Sequence, residues 1–226
     1  MNKVTFEDLE VIDYKDAWDY QQKIFQSILD NKIQSKNSHT HHLLFCEHPH
    51  VYTLGKSGTQ NNLLISDDFL KSINATFYKI DRGGDITYHG PGQIVGYPIF
   101  DLEALNIGIK EYIHLLEQSI IDALKDYGIV SSRLEGATGV WLDVDKPGAA
   151  RKICAIGVKA SRYVSMHGFA LNVNSDLNYF NHINPCGFID KGVTSMEKEI
   201  GKSIDINDVK NKVFNNILTL FQLNNN

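Results

Sequence analysis

Two residues in this sequence have the chemistry of a nucleophile and of a partner that could activate it. Cys186 lies between Pro185 and Gly187 in the polar stretch "NHINPCGFIDKGVTSM", residues 181–196. A thiol in a loop can be reached by a substrate. Cys46 in "LLFCEH" and Cys154 in "KICAIG" lie instead in apolar runs and read as small buried hydrophobes. A free thiol has a pKa of about 8.5, so only a few per cent is thiolate at neutral pH. A nucleophilic Cys186 therefore needs a nearby cation or helix N-terminus. His182, His167, His89 or a lysine could serve, and residue types alone do not choose among them. Lys152 opens an apolar strand. On residue type it reads as an ordinary strand-edge lysine; held beside a site, its ammonium would stabilise a thiolate and, once desolvated, carry protons.

The densest loop chemistry lies in "DRGGDITYHGPGQIVGYP", Asp81 to Pro98, with five glycines and two prolines in eighteen residues. Glycine permits positive φ and close approach to the backbone, and Arg82, Thr87, Tyr88 and His89 are interleaved with it. The pattern is neither G-x-G-x-x-G nor a P-loop. It reads as a loop offering backbone N–H groups and a few polar side chains to a ligand, in preference to a plain connection between strands. The run "HTHH", His39 to His42, with His48 and His50 after it, could suggest metal. No Cys-x-x-Cys or His-Glu-x-x-His accompanies it, so a solvated strand edge is the expectation and no metal site is assigned. His89 and His167 each adjoin a glycine and are either satisfied buried histidines or walls of a pocket.

These groups must be carried by a scaffold. Residues 15–36 place Trp18, Ile24, Phe25, Ile28 and Leu29 at helical spacing, and 108–128 do the same with Tyr112, Ile113, Leu116, Ile120, Ile121 and Leu124 before Gly128 ends the helix. Residues 206–222 predict a last amphipathic helix, and "QLNNN" a frayed tail. "HLLFCEHPHVYTLG", "TFYKIDRGG", "GQIVGYPIFDL", "GVWLDV", "RKICAIGVKAS" and "YVSMHGFALNV" read as strands, the last two as a hairpin turning near Ser161 and Arg162. Several strands follow one another directly, which predicts an α/β or α+β fold with a mixed sheet, not a strict βαβ repeat.

The chain has 226 residues, 42% hydrophobic and 22% charged, as expected for one globular domain spanning 1–226 with its core at about 30–222. A net charge of −5 without a Lys/Arg run argues against nucleic acid as a partner. No run approaches the ~20 apolar residues of a membrane span, and the first residues lack the apolar region of a signal peptide. Three cysteines make no disulfide framework, and a reducing cytoplasm is the expected location.

In order and spacing, "CEHPHVYTLGKSG", "RGGDITYHGPGQIVGYPIFDL", "GVWLD", "RKICAIGVK", "HGFALNV" and "INPCGF…GVTSM" resemble the lipoate-biosynthesis octanoyltransferases. The match runs from about residue 42 to about 200, with no motif broken. The resemblance implies the mixed sheet flanked by helices of biotin and lipoate protein ligase catalytic domains. It implies transfer of octanoyl from the phosphopantetheine thioester of acyl carrier protein to a lysine ε-amine on lipoyl domains of 2-oxoacid dehydrogenase subunits and the glycine cleavage H protein, with no bound cofactor. It matches the family's nucleophile to Cys186, its partner lysine to Lys152, and its substrate-binding segments to Arg82, Gly83, Gly84, Asp85, Ile86, Thr87, Tyr88 and His89, to Ala155, Ile156 and Gly157, and to Gly168, Phe169 and Ala170. A thioester is already activated, so no ATP is needed: Cys186 would take the acyl group and Lys152 would handle the protons. Backbone N–H groups near Gly187 or in 82–89 are the expected oxyanion donors. The small residues of "AIG" and "GFA" are expected to leave room for the chain, whose burial at ~0.8 kcal/mol per CH₂ would contribute about 5–6 kcal/mol. The alternatives are an ATP-dependent lipoate or biotin ligase, a non-catalytic acyl- or lipoyl-domain-binding protein, and an amidotransferase drawing octanoyl from another protein.

Overall fold

The computed structural model describes residues 2–34, 40–184 and 191–225. The N-terminal residues, polar and acidic in composition, form a strand, β1 (Asn2–Val11), that turns Val4 and Phe6 to the core. The helix α1 (Tyr14–Ile33) follows, opened by the Asp13 carboxylate accepting from Lys15 N–H at 2.8 Å. It buries Ala17, Ile24, Phe25, Ile28 and Leu29, close to the predicted face. Then come β2 (Thr40–Glu47), β3 (Val51–Leu54), α2 (Asp67–Ser72), β4 (Thr76–Lys79), β5 (Ile86–His89) and β6 (Gln93–Ile99). The helix α3 (Ile109–Lys125) precedes β7 (Ser132–Leu134), β8 (Ala137–Leu142), β9 (Arg151–Ser161) and β10 (Val164–Asn172). A short β11 (Gly192–Val193), α4 (Met196–Ile200), α5 (Ile206–Leu220) and β12 (Leu223–Asn225) complete the described chain.

The main sheet has the order β12-β1-β2-β6-β10-β9-β8-β7, with β11 alongside β9. Its β12–β1, β1–β2 and β11–β9 pairs are parallel and the rest antiparallel, so the sheet is mixed as expected. A smaller sheet, β4-β3-β5, carries the start of the glycine-rich segment. The helix α1 covers one face of the main sheet through Leu44, Val95, Tyr97, Met166 and Ala170. The helices α3 and α5 cover the other, where Tyr112, Leu116 and Ile120 are fully buried. Each such side chain stabilises the fold by roughly 1.5–3 kcal/mol. The β9–β10 hairpin turns at Arg162 and Tyr163, both with positive φ (49° and 62°), the geometry of a two-residue type I′ turn.

Two expectations are corrected. The described part of the tail is not frayed: Leu223 to Asn225 pair with Asn2 to Val4 as an edge strand of the main sheet. The histidine run is not a solvated edge. His39 lies outside the described residues, but β2 runs between β1 and β6, and His41 is fully buried with Nδ1 accepting from Asp101 N–H at 3.2 Å. The unforeseen β1 is the reason, since it covers the edge that β2 would otherwise expose. Among the described residues no group of His, Cys, Asp or Glu is arranged to hold a metal, and no helix is long and apolar enough to cross a membrane.

Candidate active site

The glycine-rich loop folds where it does because Gly55 and Gly157, which its backbone approaches closely, have no Cβ. The backbone N–H groups of Gly55, Lys56 and Ser57 donate to the carbonyls of Asp85, Arg82 and Gly84 at 3.2, 3.0 and 3.0 Å, zipping the "LGKSG" loop onto it. A Cβ on Gly55 would stand 2.4 Å from Gly84 O. The Arg82 guanidinium is buried and donates to Thr53 O (2.7 Å) and Thr53 Oγ1 (3.0 Å), which staples the loop to β3. Gly83 N–H donates to Val158 O at 2.9 Å, so the loop lies across β9. The Asp85 carboxylate accepts from Asn62 Nδ2 and from Ile86 N–H, both at 2.6 Å.

The loop roofs a cavity of about 370 Å³, within the usual range of small-ligand sites. Arg82, Gly83, Gly84, Asp85, Ile86, Thr87 and His89 all line it, as do Ala155, Ile156 and Gly157 of β9, Gly168, Phe169 and Ala170 of β10, and Lys152. Tyr88 does not. Strand alternation turns it to the opposite side of β5, where it is fully buried, stacks on Tyr179 at 4.9 Å and shares its hydroxyl with His50 Nδ1 at 2.8 Å.

The glycines of "AIG" and "GFA" do not leave room for a ligand chain, because protein already fills the space beside them. A Cβ on Gly168 would meet Gly96 O at 2.1 Å and Pro98 Cδ at 2.6 Å, and one on Gly157 would meet Gly83 O at 3.0 Å. They set strand and loop spacing instead. Gly168→Ala is expected to destabilise the protein by about 1–3 kcal/mol, read as a lower urea midpoint at unchanged m-value. A midpoint equal to that of the unsubstituted protein would contradict this packing.

Several wall residues were not singled out from sequence: Tyr14, Gln93, Tyr97, Trp141, Asn172 and Phe180. Gln93, Tyr97, Trp141 and Asn172 lie in motifs quoted above, so their motif membership was the available signal. Gln93 and Asn172 join a buried polar chain. Asn172 Nδ2 donates to Thr194 O (3.0 Å), Gln93 Nε2 to Asn172 Oδ1 (2.8 Å) and to Tyr88 O (3.2 Å), leaving Gln93 Oε1 to accept from His89 Nδ1 at 2.8 Å. This assigns the His89 proton to Nδ1. His89 and His167 prove to be both buried, hydrogen-bonded histidines and cavity walls. His167, held at φ 61°, donates from Nε2 to Asp81 at 2.9 Å. The bonds from His167 and Lys159 hold the Asp81 carboxyl well below the usual carboxylate range, while burial pushes the His167 imidazole down against the opposing pull of Asp81.

Burial also pushes His48 down to about 4 and His89 down to about 3. Both are neutral when folded and would take up protons below about 6.5 when unfolded. The unfolded state then binds more protons, and stability falls as pH drops from about 6.5 towards 4, by up to ~1.4 kcal/mol per pH unit for each histidine. The contribution of Asp81 is lost only below about 4, where the unfolded carboxylate protonates. Urea midpoints at pH 7.5 and 5 are expected to differ, and His48→Gln to reduce the difference. Equal slopes in the two proteins would remove His48 from this role.

Lys152 is the second residue of β9. Its carbonyl accepts from Thr194 N–H at 2.9 Å, and Val193 pairs with it across β11. Its ammonium lies 4.6 Å from the Trp141 ring centroid. Arg151 is tied to Glu199 at 2.7 Å and to Asp143, and Thr194 Oγ1 donates to Glu199 at 2.5 Å, which clamps the stretch after residue 191 onto β9. Arg133 likewise pairs with Glu117 at 2.9 Å, so these two arginines are engaged within the fold. Cys186 and Gly187 lie outside the described residues. On either side of them in sequence, Phe180 and Lys191 to Val193 line the cavity. Cys46 and Cys154 are buried, and desolvation pushes both thiols up.

Residues 13–218 match the family model of the lipoyl protein ligase A/B catalytic domain. Proteins named octanoyltransferase from Bacteroides fragilis (strain YCH46) and Christiangramia forsetii are each 56% identical to this chain, the first over 93% of it and 95% of the relative, the second over 98% and 97%. Among solved structures, the chain shares its fold with a bipartite lipoate protein ligase from Thermoplasma acidophilum (TM-score 0.78, 14% identity, 100% of this chain and 86% of that one). It does so too with a lipoate-protein ligase A bound with ATP (TM-score 0.76, 13% identity, 100% and 87%).

Proposed function

The chain belongs to the lipoyl protein ligase A/B catalytic-domain family, as an octanoyltransferase, and from that premise we propose a route for the acyl group. The donor is octanoyl-phosphopantetheine presented by acyl carrier protein. The Cys186 thiolate attacks the thioester carbonyl, the tetrahedral oxyanion collapses, and the phosphopantetheine thiolate leaves, taking a proton from the Lys152 ammonium, which becomes the free amine. The octanoyl group is then a thioester on Cys186. The ε-amine of a lysine on a lipoyl domain attacks it in turn, forming the amide and releasing the Cys186 thiolate. Lys152 stabilises the thiolate as an ammonium and, as the free amine, accepts the proton shed by the attacking lysine. The cavity-lining residues of 82–89 (all but Tyr88), 155–157 and 168–170 hold the acyl chain against apolar wall residues such as Phe169, Ala170 and Val193. Thioester-for-thioester exchange is nearly isoergic, so no ATP is spent. The reaction takes place in the cytoplasm.

The observation that carries this reading is the cavity that gathers Lys152 with residues of the three matched segments, and with Phe180 and Lys191 to Val193, which precede and follow Cys186 in sequence. An ATP-dependent ligase on the same fold would instead form an acyl-adenylate and would not use Cys186. Brief exposure to octanoyl-carrier protein without ATP is expected to raise the intact mass by one octanoyl group, which peptide mapping places on Cys186. Adduct formation only with ATP, or an adduct on Cys46 or Cys154, would overturn the route.

A further inference from the structure

We propose that Trp141 is a positioning residue, its indole face holding the Lys152 ammonium at the cavity wall. The inference deepens the Cys186–Lys152 reading and rests on it. Its first support is distance: Lys152 Nζ lies 4.6 Å from the ring centroid, inside the ~6 Å range of a cation–π contact. Its second is burial. Trp141 is 2% exposed, and a desolvated ring attracts a cation more strongly than one in water.

The third support is register. Between β8 and β9, Val140 pairs with Cys154, and regular alignment would set Trp141 opposite Ile153. The ladder shifts there, and Trp141 pairs with Lys152. Bulges of this kind re-aim a side chain, and this one exchanges an apolar neighbour for the ammonium. The indole is also locked in place, because Nε1–H donates to Ala137 O at 3.0 Å.

The fourth support is the bracing of the strand that carries Trp141. Gly139, at φ 122°, packs so close to β9 that a Cβ would stand 2.5 Å from Cys154 O. Its N–H is held by buried Glu117 at 2.9 Å, and Glu117 is held by Arg133. The turn of β8 that carries Trp141 is therefore braced from behind by an ion pair. A tryptophan serving only as core filling would not need the register shift.

The test compares Trp141→Leu, which keeps apolar bulk without a π face, with Trp141→Phe, which keeps a ring. The readout is the pH profile of Cys186 alkylation, with Lys152→Ala as reference. Trp141→Leu is expected to slow alkylation at pH 7 by about 3- to 10-fold by weakening the hold on the cation, with Trp141→Phe near the unsubstituted rate. If Lys152→Ala shifts the profile and Trp141→Leu does not, or if Phe is as slow as Leu, the inference is overturned while the lysine's role stands. If Lys152→Ala leaves the profile unmoved, the underlying reading falls and takes the inference with it. A second readout needs no change at Trp141. The chain has two tryptophans, so Trp18→Phe isolates Trp141 emission. That emission is expected to change as Lys152 deprotonates, and not to do so in Trp18→Phe/Lys152→Met. The same pH response in both would overturn the contact.

Discussion

Cys186→Ala is expected to lower octanoyl transfer by about a thousandfold or more, since removing a covalent nucleophile leaves only the residual catalysis of binding and charge stabilisation. The acceptor amine would then have to attack the carrier thioester directly, with both proteins docked at once and nothing to divide the reaction into two steps. Cys186→Ser should recover little, because a hydroxyl is a far weaker nucleophile at neutral pH and its ester is a poorer acyl donor to an amine than a thioester. Substitution also tests selectivity among the three thiols. Cys46 and Cys154 are buried with their thiols pushed up by desolvation, so neither offers appreciable thiolate. The Cys186→Ala protein is therefore expected to stay at its unmodified mass in octanoyl donor, with steady-state transfer near background. Transfer near the normal rate, or an octanoyl adduct surviving the substitution, would refute the assignment of Cys186.

Lys152→Ala is expected to raise the apparent pKa of Cys186 by about one to two units, the usual effect of losing an opposite charge nearby. Alkylation at pH 7 would slow by roughly 10- to 100-fold, and transfer by about 10²-fold or more, because the proton carrier is lost as well. Lys152→Arg separates the two duties. Arginine keeps the positive charge but does not deprotonate, so thiol reactivity should be largely kept while turnover to the acceptor lysine falls. A single-turnover experiment reads the steps apart, with release of carrier thiol reporting acylation and amide formation reporting the second step. An alkylation profile identical in Lys152→Ala and the unsubstituted protein would remove Lys152 from thiolate stabilisation. Equal amide formation in Lys152→Arg would remove it from proton transfer.

Much of the scaffold was legible because its signals are local. The faces of α1, α3 and α5 follow from apolar spacing, and the β9–β10 hairpin from two runs meeting at Arg162 and Tyr163. The burial of Cys46 and Cys154 follows from their apolar neighbours. The misread tail and histidine run share a cause. β1 is acidic and half-exposed, so composition hides it, yet it takes β2 into the sheet interior and pairs with the C-terminal β12. Those parallel pairings join segments remote in sequence, and no local pattern records them.

The sequence by itself determined the family motifs, the mixed fold class, and the residue types that could perform acyl transfer. A thiol, an amine and a glycine-rich loop announce their chemistry through side-chain identity and order. Only the tertiary structure decided which way Lys152 and the residues of the glycine-rich loop face and what already fills the space around them. It turned Tyr88 away from the cavity, spent the room beside Gly157 and Gly168 on backbone contact, and slid β9 by one residue to set Lys152 against Trp141. Each outcome depends on a register or crossing set by distant strands competing for the same volume, and close packing admits only one arrangement of them.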